Sequence, residues 1–138
     1  MTIRRAYVQP QVGGQGFART RKVIGALAIP ILVADLTTGN QVAAFFVPKD
    51  FVTTGINAVV PSLAASGLTI NIGDAANPTR FVNASAVGVA GGTISAFAAG
   101  GQYYQFPADT EILITFNGAV TPAAGSITNF LLEGFIGP

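Results

Sequence analysis

Apolar and polar residues alternate at short intervals along most of the chain. The stretch LTINI at residues 68–72 puts Leu68, Ile70 and Ile72 on one side of a strand, and ILITF at residues 112–116 repeats the pattern. Side chains of a strand point alternately to its two faces, so this period of two indicates strands with one buried face. Such runs predict ten strands, at residues 23–28, 31–35, 41–47, 55–60, 68–72, 80–84, 93–97, 102–106, 111–116 and 126–133.

Turn-forming residues stand between these runs. TGN at 38–40, PKD at 48–50, GG at 91–92, PAD at 107–109 and NG at 117–118 each supply a positive φ or a preset proline turn. Alanine is abundant, but it lies among Gly, Val, Thr and Phe without the spacing of an amphipathic helix. The pattern therefore predicts an all-β fold, an antiparallel jelly-roll-like β-sandwich, with no helix longer than a turn or two.

The first 22 residues have a different character. MTIRRAYVQPQVGGQGFARTRK mixes Gly, Gln, Pro and Arg without a sustained period, as is typical of an extended segment. It carries five cations and no acid, whereas the remainder has two cations against six acids. We therefore predict an extended basic N-terminal arm at residues 1–22 and a mildly acidic β-sandwich body at residues 23–138.

The composition indicates a protein that buries surface against partners. Only 9% of the 138 residues are charged, and the formal net charge is +1. A typical soluble domain has about 25% charged residues, and a near-neutral surface promotes association. A dedicated nucleic-acid-binding domain is usually strongly basic, so the small net charge argues against that class.

The apolar run at residues 23–33 is too short for a membrane span. It has 11 residues and is interrupted by Pro30, whereas a spanning helix needs roughly 20. Arg21 and Lys22 precede it as in a signal peptide, but the long polar lead and the lack of a small-x-small cleavage site disfavour that interpretation. We expect no membrane partner.

The chain lacks the usual groups for catalysis. It contains no histidine and no cysteine, so Ser or Thr has no imidazole base and no thiolate is available. Lys49 lies in a predicted exposed turn, where a lysine keeps its charge. Asp109 and Glu111 could act as paired carboxylates on a polysaccharide, but two acids at an exposed strand end are far more often structural. We predict a non-enzymatic protein without catalytic residues.

Two loops resemble ligand sites only superficially. Asp74 in the loop NIGDAANPTRF could offer oxygens to calcium, but calcium needs roughly six to eight and only one acid is local. The favoured interpretation is that Asp74 and Asn77 form turns with the backbone and that Asp74 pairs with Arg80. The VGGQG segment lacks the strand and helix that flank a phosphate loop. No metal or cofactor is predicted.

The basic arm has the most functional content. Its arginines could contact nucleic acid, lie along an acidic protein surface, or belong to a solvated tail. We favour the protein surface, because arginine pairs with carboxylates and the arm intersperses apolar anchors among its cations. The predicted docking residues are Arg4, Arg5, Tyr7, Phe17, Arg19, Arg21 and Lys22.

Residues 41–135 resemble the head decoration or cement proteins of tailed bacteriophages. The resemblance is carried by FFVPKDFVTTGINAVV, a strand, proline turn and strand, by LTINIGDAANPTRFVNAS, and by QYYQFPADTEILITFNGAVTPAAGSITNFLLEGF, which ends in two strands around an Asn-Gly turn. It implies a jelly-roll-like protein that forms a homotrimer on the outer capsid surface of the virion. It also implies a terminal arm that clamps the major capsid protein, here residues 1–22.

A tail or fibre component, either an adaptor or a receptor-binding module, is the alternative function, because similar strands occur there. The aromatic composition weighs against receptor binding. Ten phenylalanines without one tryptophan indicate packing rather than stacking on sugars.

Overall fold

The computed structural model describes residues 21–137. In that range the strands are β1 Lys22–Ile31, β2 Gln41–Val47, β3 Phe51–Val60, β4 Ala64–Ser66, β5 Thr69–Gly73, β6 Val82–Ser85, β7 Gly92–Ile94, β8 Thr110–Asn117, β9 Val120–Pro122 and β10 Gly125–Ile136. A 3-10 helix at Val33–Leu36 follows β1, and one helical turn, α1 Val87–Ala90, separates β6 from β7.

Eight of these strands form two antiparallel four-stranded sheets. The first sheet has the order β1-β10-β3-β7 and the second β2-β8-β5-β6, while β4 and β9 pair separately. Each sheet alternates strands from the two halves of the chain, so β1 pairs with β10 and β2 with β8. This order is that of a jelly roll, in which the chain is wound as a folded-over hairpin. The predicted fold class is confirmed.

Side chains from both sheets meet in one core. Ile70, Ile72, Ile112, Ile114 and Phe116, the inward residues of the two alternating stretches, are each at most 1% exposed. The ring of Phe45 on β2 meets that of Phe130 on β10 edge-on, with 5.0 Å between centroids, and so joins the two sheets. Burial of phenylalanine and branched aliphatic side chains, each contributing roughly 1.5–3 kcal/mol, provides the main stabilisation of the sandwich.

Most predicted strands are confirmed, with shifted ends. The prediction at residues 41–47 coincides with β2, and those at 23–28, 55–60 and 126–133 lie inside the longer β1, β3 and β10. The prediction at 93–97 is too long, because β7 ends at Ile94. The short strands β4 and β9 and the helical turn α1 were not predicted, since three or four residues carry too little periodicity.

The predicted strand at residues 31–35 is wrong. Only Ile31 remains in a strand, and Val33–Leu36 forms the 3-10 helix. A carboxylate oxygen of Asp35 accepts a hydrogen bond from the backbone N–H of Leu32 at 2.8 Å. Such local bonds from Asp favour turns over strand pairing, which explains why the apolar run turns here.

The predicted strand at residues 102–106 is also wrong. The segment forms one isolated β-bridge, between Val52 and Gln105, and a few backbone hydrogen bonds with β3, but no continuous strand. Tyr103 has a φ of 57°, a left-handed conformation that no regular strand contains. The backbone N–H of Tyr103 donates to the carbonyl of Thr53 at 2.7 Å, so tertiary hydrogen bonds replace strand pairing.

The predicted turns are confirmed where the backbone requires a positive φ. Gly39, Gly91 and Gly118 have φ values of 86°, 82° and 75°, and Asp50 follows Pro48 and Lys49 with a φ of 69°. The boundary between arm and body was predicted after residue 22, and β1 begins at Lys22. Residues 1–20 lie outside the described residues, so the arm remains a prediction.

Candidate docking surface

The base of the predicted arm is fixed to the first sheet. Arg21 forms an ion pair with Oε2 of Glu133, a residue of β10 that lies opposite Val23. The side chains of Arg21 and Glu133 are 68% and 32% exposed, and exposed pairs typically contribute less than about 1 kcal/mol. The pair therefore orients the chain where it enters β1 more than it stabilises the fold. The docking residues Arg4, Arg5, Tyr7, Phe17 and Arg19 lie outside the described residues.

An exposed apolar row continues from the base of the arm. Val23, Leu27, Leu32 and Val33, which we call the β1 edge, are 51%, 81%, 61% and 48% exposed. They follow one another along an edge strand and the turn after it. Exposed apolar residues on an edge strand are a template for association with another chain. The sequence predicted strands at residues 23–28 and 31–35 without indicating this exposure, because an apolar run does not reveal which strand lies at an edge.

A second exposed region, the Phe46 surface, comprises Phe46, Pro48, Asp109 and Glu111. Phe46 is 66% exposed and lies directly opposite the exposed Glu111 on β8. A cavity of about 310 Å³ is lined by Phe46, Val47, Pro48 and Asp109. An aromatic ring beside carboxylates is suited to basic and apolar side chains of a protein partner.

The acidic pair predicted from the sequence has a structural explanation. Oδ1 of Asp109 accepts a hydrogen bond from the backbone N–H of Lys49 at 2.9 Å, which ties the turn after β2 to the start of β8. Lys49 itself is exposed. This arrangement agrees with the interpretation of Asp109 as a strand-end cap.

The Asp74 loop is held together by hydrogen bonds among its own residues. Oδ1 of Asp74 accepts from the backbone N–H of Asn77 at 2.8 Å, and Oδ2 accepts from Nε of Arg80 at 2.7 Å. The Arg80 guanidinium also stacks over the ring of Tyr104, 3.9 Å from its centroid. The predicted turn and ion pair are confirmed. Within residues 21–137, no group of three or more potential metal-binding side chains occurs.

A loop after β7 presents an exposed aromatic residue. Tyr103 is 68% exposed, and its backbone is held by the fully buried Thr53. The hydroxyl of Thr53 donates to the carbonyl of Gly101 and accepts from the N–H of Tyr104 at 3.1 Å. The tertiary structure thus fixes Tyr103 in a rarely populated conformation, which is a feature often found at binding loops.

The cavity between β6 and the segment after β7 offers no evident chemistry. It measures about 380 Å³ and is lined by Val82, Asn83, Ser85 and residues 93–98, none of which is titratable. In the part of the chain that the structure describes, no helix is long and apolar enough to cross a membrane.

Comparisons with known proteins identify similar chains in two phage capsids. No protein-family model and no curated protein matches this chain. A chain of the cyanophage Pam1 capsid asymmetric unit superposes with a TM-score of 0.74 and 25% sequence identity, covering 97% of this chain and 97% of that chain. A chain of the capsid of Ralstonia phage GP4 superposes with a TM-score of 0.65 and 21% identity, covering 97% and 92%. These likenesses support a phage capsid-related protein.

The similarity to capsid chains narrows the possible functions. The likeness to the Pam1 chain supports a structural protein of the virion. The likeness to the GP4 chain shows the fold, and the likeness to the Pam1 chain adds a quarter of identical residues over nearly the whole length. An association with capsid proteins follows as the working expectation for the exposed regions above.

Proposed function

We propose that this chain is a capsid cement or decoration protein that stabilises a phage head by bridging major capsid subunits. Residues 1–22 act as the docking arm, and the β1 edge continues the contact onto the body. The protein sits on the outer surface of the capsid as a homotrimer. It acts by adding contact area between subunits and not by catalysis.

The observation that supports this proposal most is the whole-chain likeness to a capsid chain. Coverage of 97% on both sides means that the likeness extends over nearly the whole of both chains. A jelly roll of 138 residues with 9% charged residues suits a protein whose flat faces contact neighbours.

The positions of the exposed residues also favour docking through the N-terminal part of the chain. Arg21 and Val23 connect the predicted arm to the β1 edge without interruption, so residues 1–33 could form one extended contact. Arginine forks would pair with carboxylates of the capsid, and Leu27 and Leu32 would fill apolar depressions. Many copies, each adding a modest contact, would make the lattice harder to open.

Co-sedimentation with capsids that lack the protein tests the proposal. Full-length protein and a variant lacking residues 1–20 are compared at low and moderate salt. The truncation ends before Arg21, so the ion pair with Glu133 and all of β1 remain. We expect saturable binding of the full-length protein, weakening with salt, and little binding of the truncated body.

Three results would change the account in different ways. Binding of the truncated body at full affinity would contradict the role of the arm. Binding of neither form would favour a tail or fibre component, which glycan or tail-protein binding by the body would then identify. Analytical ultracentrifugation of the free protein, at the concentration that saturates the capsids, tests the oligomer. A monomer under these conditions would contradict the homotrimer.

A further inference from the structure

The base of the arm and the Phe46 surface lie at the same end of the sandwich. Lys22 pairs with Gly134 at the end of β10, and Gly134 pairs with Thr53 near the start of β3. The turn at residues 48–50 adjoins this row, since the N–H of Gly137 donates to the carbonyl of Asp50 at 2.7 Å. The same turn carries the hydrogen bond from Lys49 to Asp109.

The distance between the two places is small compared with the length of the arm. Two strand spacings of about 4.8 Å and a sheet separation of about 10 Å put the Phe46 surface roughly 20 Å from Arg21. The 20 residues before Arg21 span at most about 66–72 Å when extended. Gly13, Gly14 and Gly16 lie between the two halves of this segment and allow it to reverse direction.

The chemistry of the arm complements that of the surface. Phe46 and Glu111 lie side by side on neighbouring strands, where facing side chains are about 5 Å apart. Arg5 and Tyr7 are two residues apart, so in an extended chain they share one face at a spacing of about 6.6 Å. Asp109, which has acceptor capacity beyond its bond to Lys49, adds a second carboxylate to the same surface.

We propose that residues 1–20 fold back and dock on the Phe46 surface of their own chain, with Tyr7 on Phe46 and with Arg5 on the carboxylates of Asp109 and Glu111. The arm is then held on the body until a more acidic capsid surface competes for it. The proposal goes beyond capsid docking, because it concerns the protein before it meets a capsid.

The experiment uses the full chain in isolation. The sequence contains no cysteine, so Thr2→Cys provides a unique site for a nitroxide label. Relaxation enhancement then reports which backbone amides of the ¹⁵N-labelled protein approach the arm. We expect a loss of signal intensity at residues 46, 47, 49 and 109–111, independent of protein concentration and reversed near 1 M salt, where the Debye length is about 3 Å.

Matched variants identify the surface. Phe46→Ser and Glu111→Gln should restore the signals, and both residues are exposed, so the fold should remain intact. Val120→Ser is the control, because Val120 is 50% exposed and follows the opposite end of β8. The control should leave the signal loss unchanged.

The outcomes separate the docked arm from other occupants. Chains carrying the nitroxide without ¹⁵N are unfolded and refolded together with ¹⁵N chains that carry no nitroxide. The mixture is compared with the first sample, in which each chain carries both the nitroxide and ¹⁵N. An equally strong signal loss in the mixture would show that a second copy supplies the arm and would overturn the proposal. Signal loss elsewhere on the body, or none at all, would overturn it too. The capsid-binding proposal is tested separately, since these measurements contain no capsid.

Discussion

At the scale of single residues, the two ion pairs of the described chain have different roles. The side chains of Asp74 and Arg80 are 4% and 15% exposed, whereas those of Glu133 and Arg21 are 32% and 68% exposed. Removing one partner of a buried pair leaves an uncompensated charge, and this costs far more than breaking an exposed pair. Asp74 therefore stabilises the fold, and Glu133 orients the base of the arm.

We predict that Asp74→Ala destabilises the protein by about 3–5 kcal/mol, because Arg80 loses its partner while remaining between the loop and the ring of Tyr104. Glu133→Gln is the matched control and should change the free energy of unfolding by less than about 1 kcal/mol. Urea denaturation of both variants measures the difference. Equal effects of the two substitutions would contradict the distinction.

The residue-scale features differ in how well the sequence predicts them. Asp74 and Arg80 are six residues apart in a loop with Asn77 and Pro78, so their local hydrogen bonds could be predicted from spacing alone. Thr53 and Tyr104 are separated by 51 positions. Nothing local indicates that the Thr53 hydroxyl would hold that loop, so the conformation of Tyr103 could not be predicted.

At the scale of elements, alternation predicts strands well where both of their ends are marked. Residues 41–47 are bounded by turn residues, and β2 has the same limits. Residues 31–35 (ILVAD) and 102–106 (QYYQF) show no clear alternation. There the hydrogen bonds of Asp35 and Thr53 decide the conformation, and only the first of these is local.

The β1 edge yields a prediction at this scale. Leu27 is 81% exposed on an edge strand, so Leu27→Ser should change the free energy of unfolding by no more than about 0.5 kcal/mol. Loss of an apolar contact at the capsid should weaken binding by about 1–2 kcal/mol, which corresponds to roughly a 5- to 30-fold change in affinity. Val120→Ser, an exposed apolar substitution on β9, is the control.

Capsid titrations and urea denaturation of the two variants test this prediction together. Unchanged capsid affinity of the Leu27 variant would exclude the β1 edge from the contact. Equal weakening by the Val120 variant would indicate a general effect of surface polarity.

At the scale of the whole molecule, the sequence predicted the class of fold but not which strands pair. Turn residues and strand number favoured a sandwich of jelly-roll type, and the resemblance to phage head proteins implied the same fold. The pairing of β1 with β10, more than 90 residues away in sequence, could not be predicted, because period-two patterns do not specify partners. The β1 edge was missed for the same reason, since a strand becomes an edge only through the pairing order.

The arrangement of the whole molecule also accounts for its small number of charged residues. The described body places its branched and aromatic side chains in one core and leaves Leu27, Phe46 and Tyr103 exposed at separate places. A monomer in solution gains nothing from such exposure, whereas a protein embedded in a shell does. A protein that binds the closed shell more tightly than the open one stabilises the closed shell. The stabilisation increases with the concentration of the protein and with its affinity at each site.

The most direct test of the cement role is the temperature at which capsids lacking the protein open, measured with and without saturating full-length protein. The account predicts that the opening temperature rises with bound protein and that protein lacking residues 1–20 gives no rise. Saturating binding without any change in the opening temperature would contradict a cement function, even if the protein is a genuine component of the head.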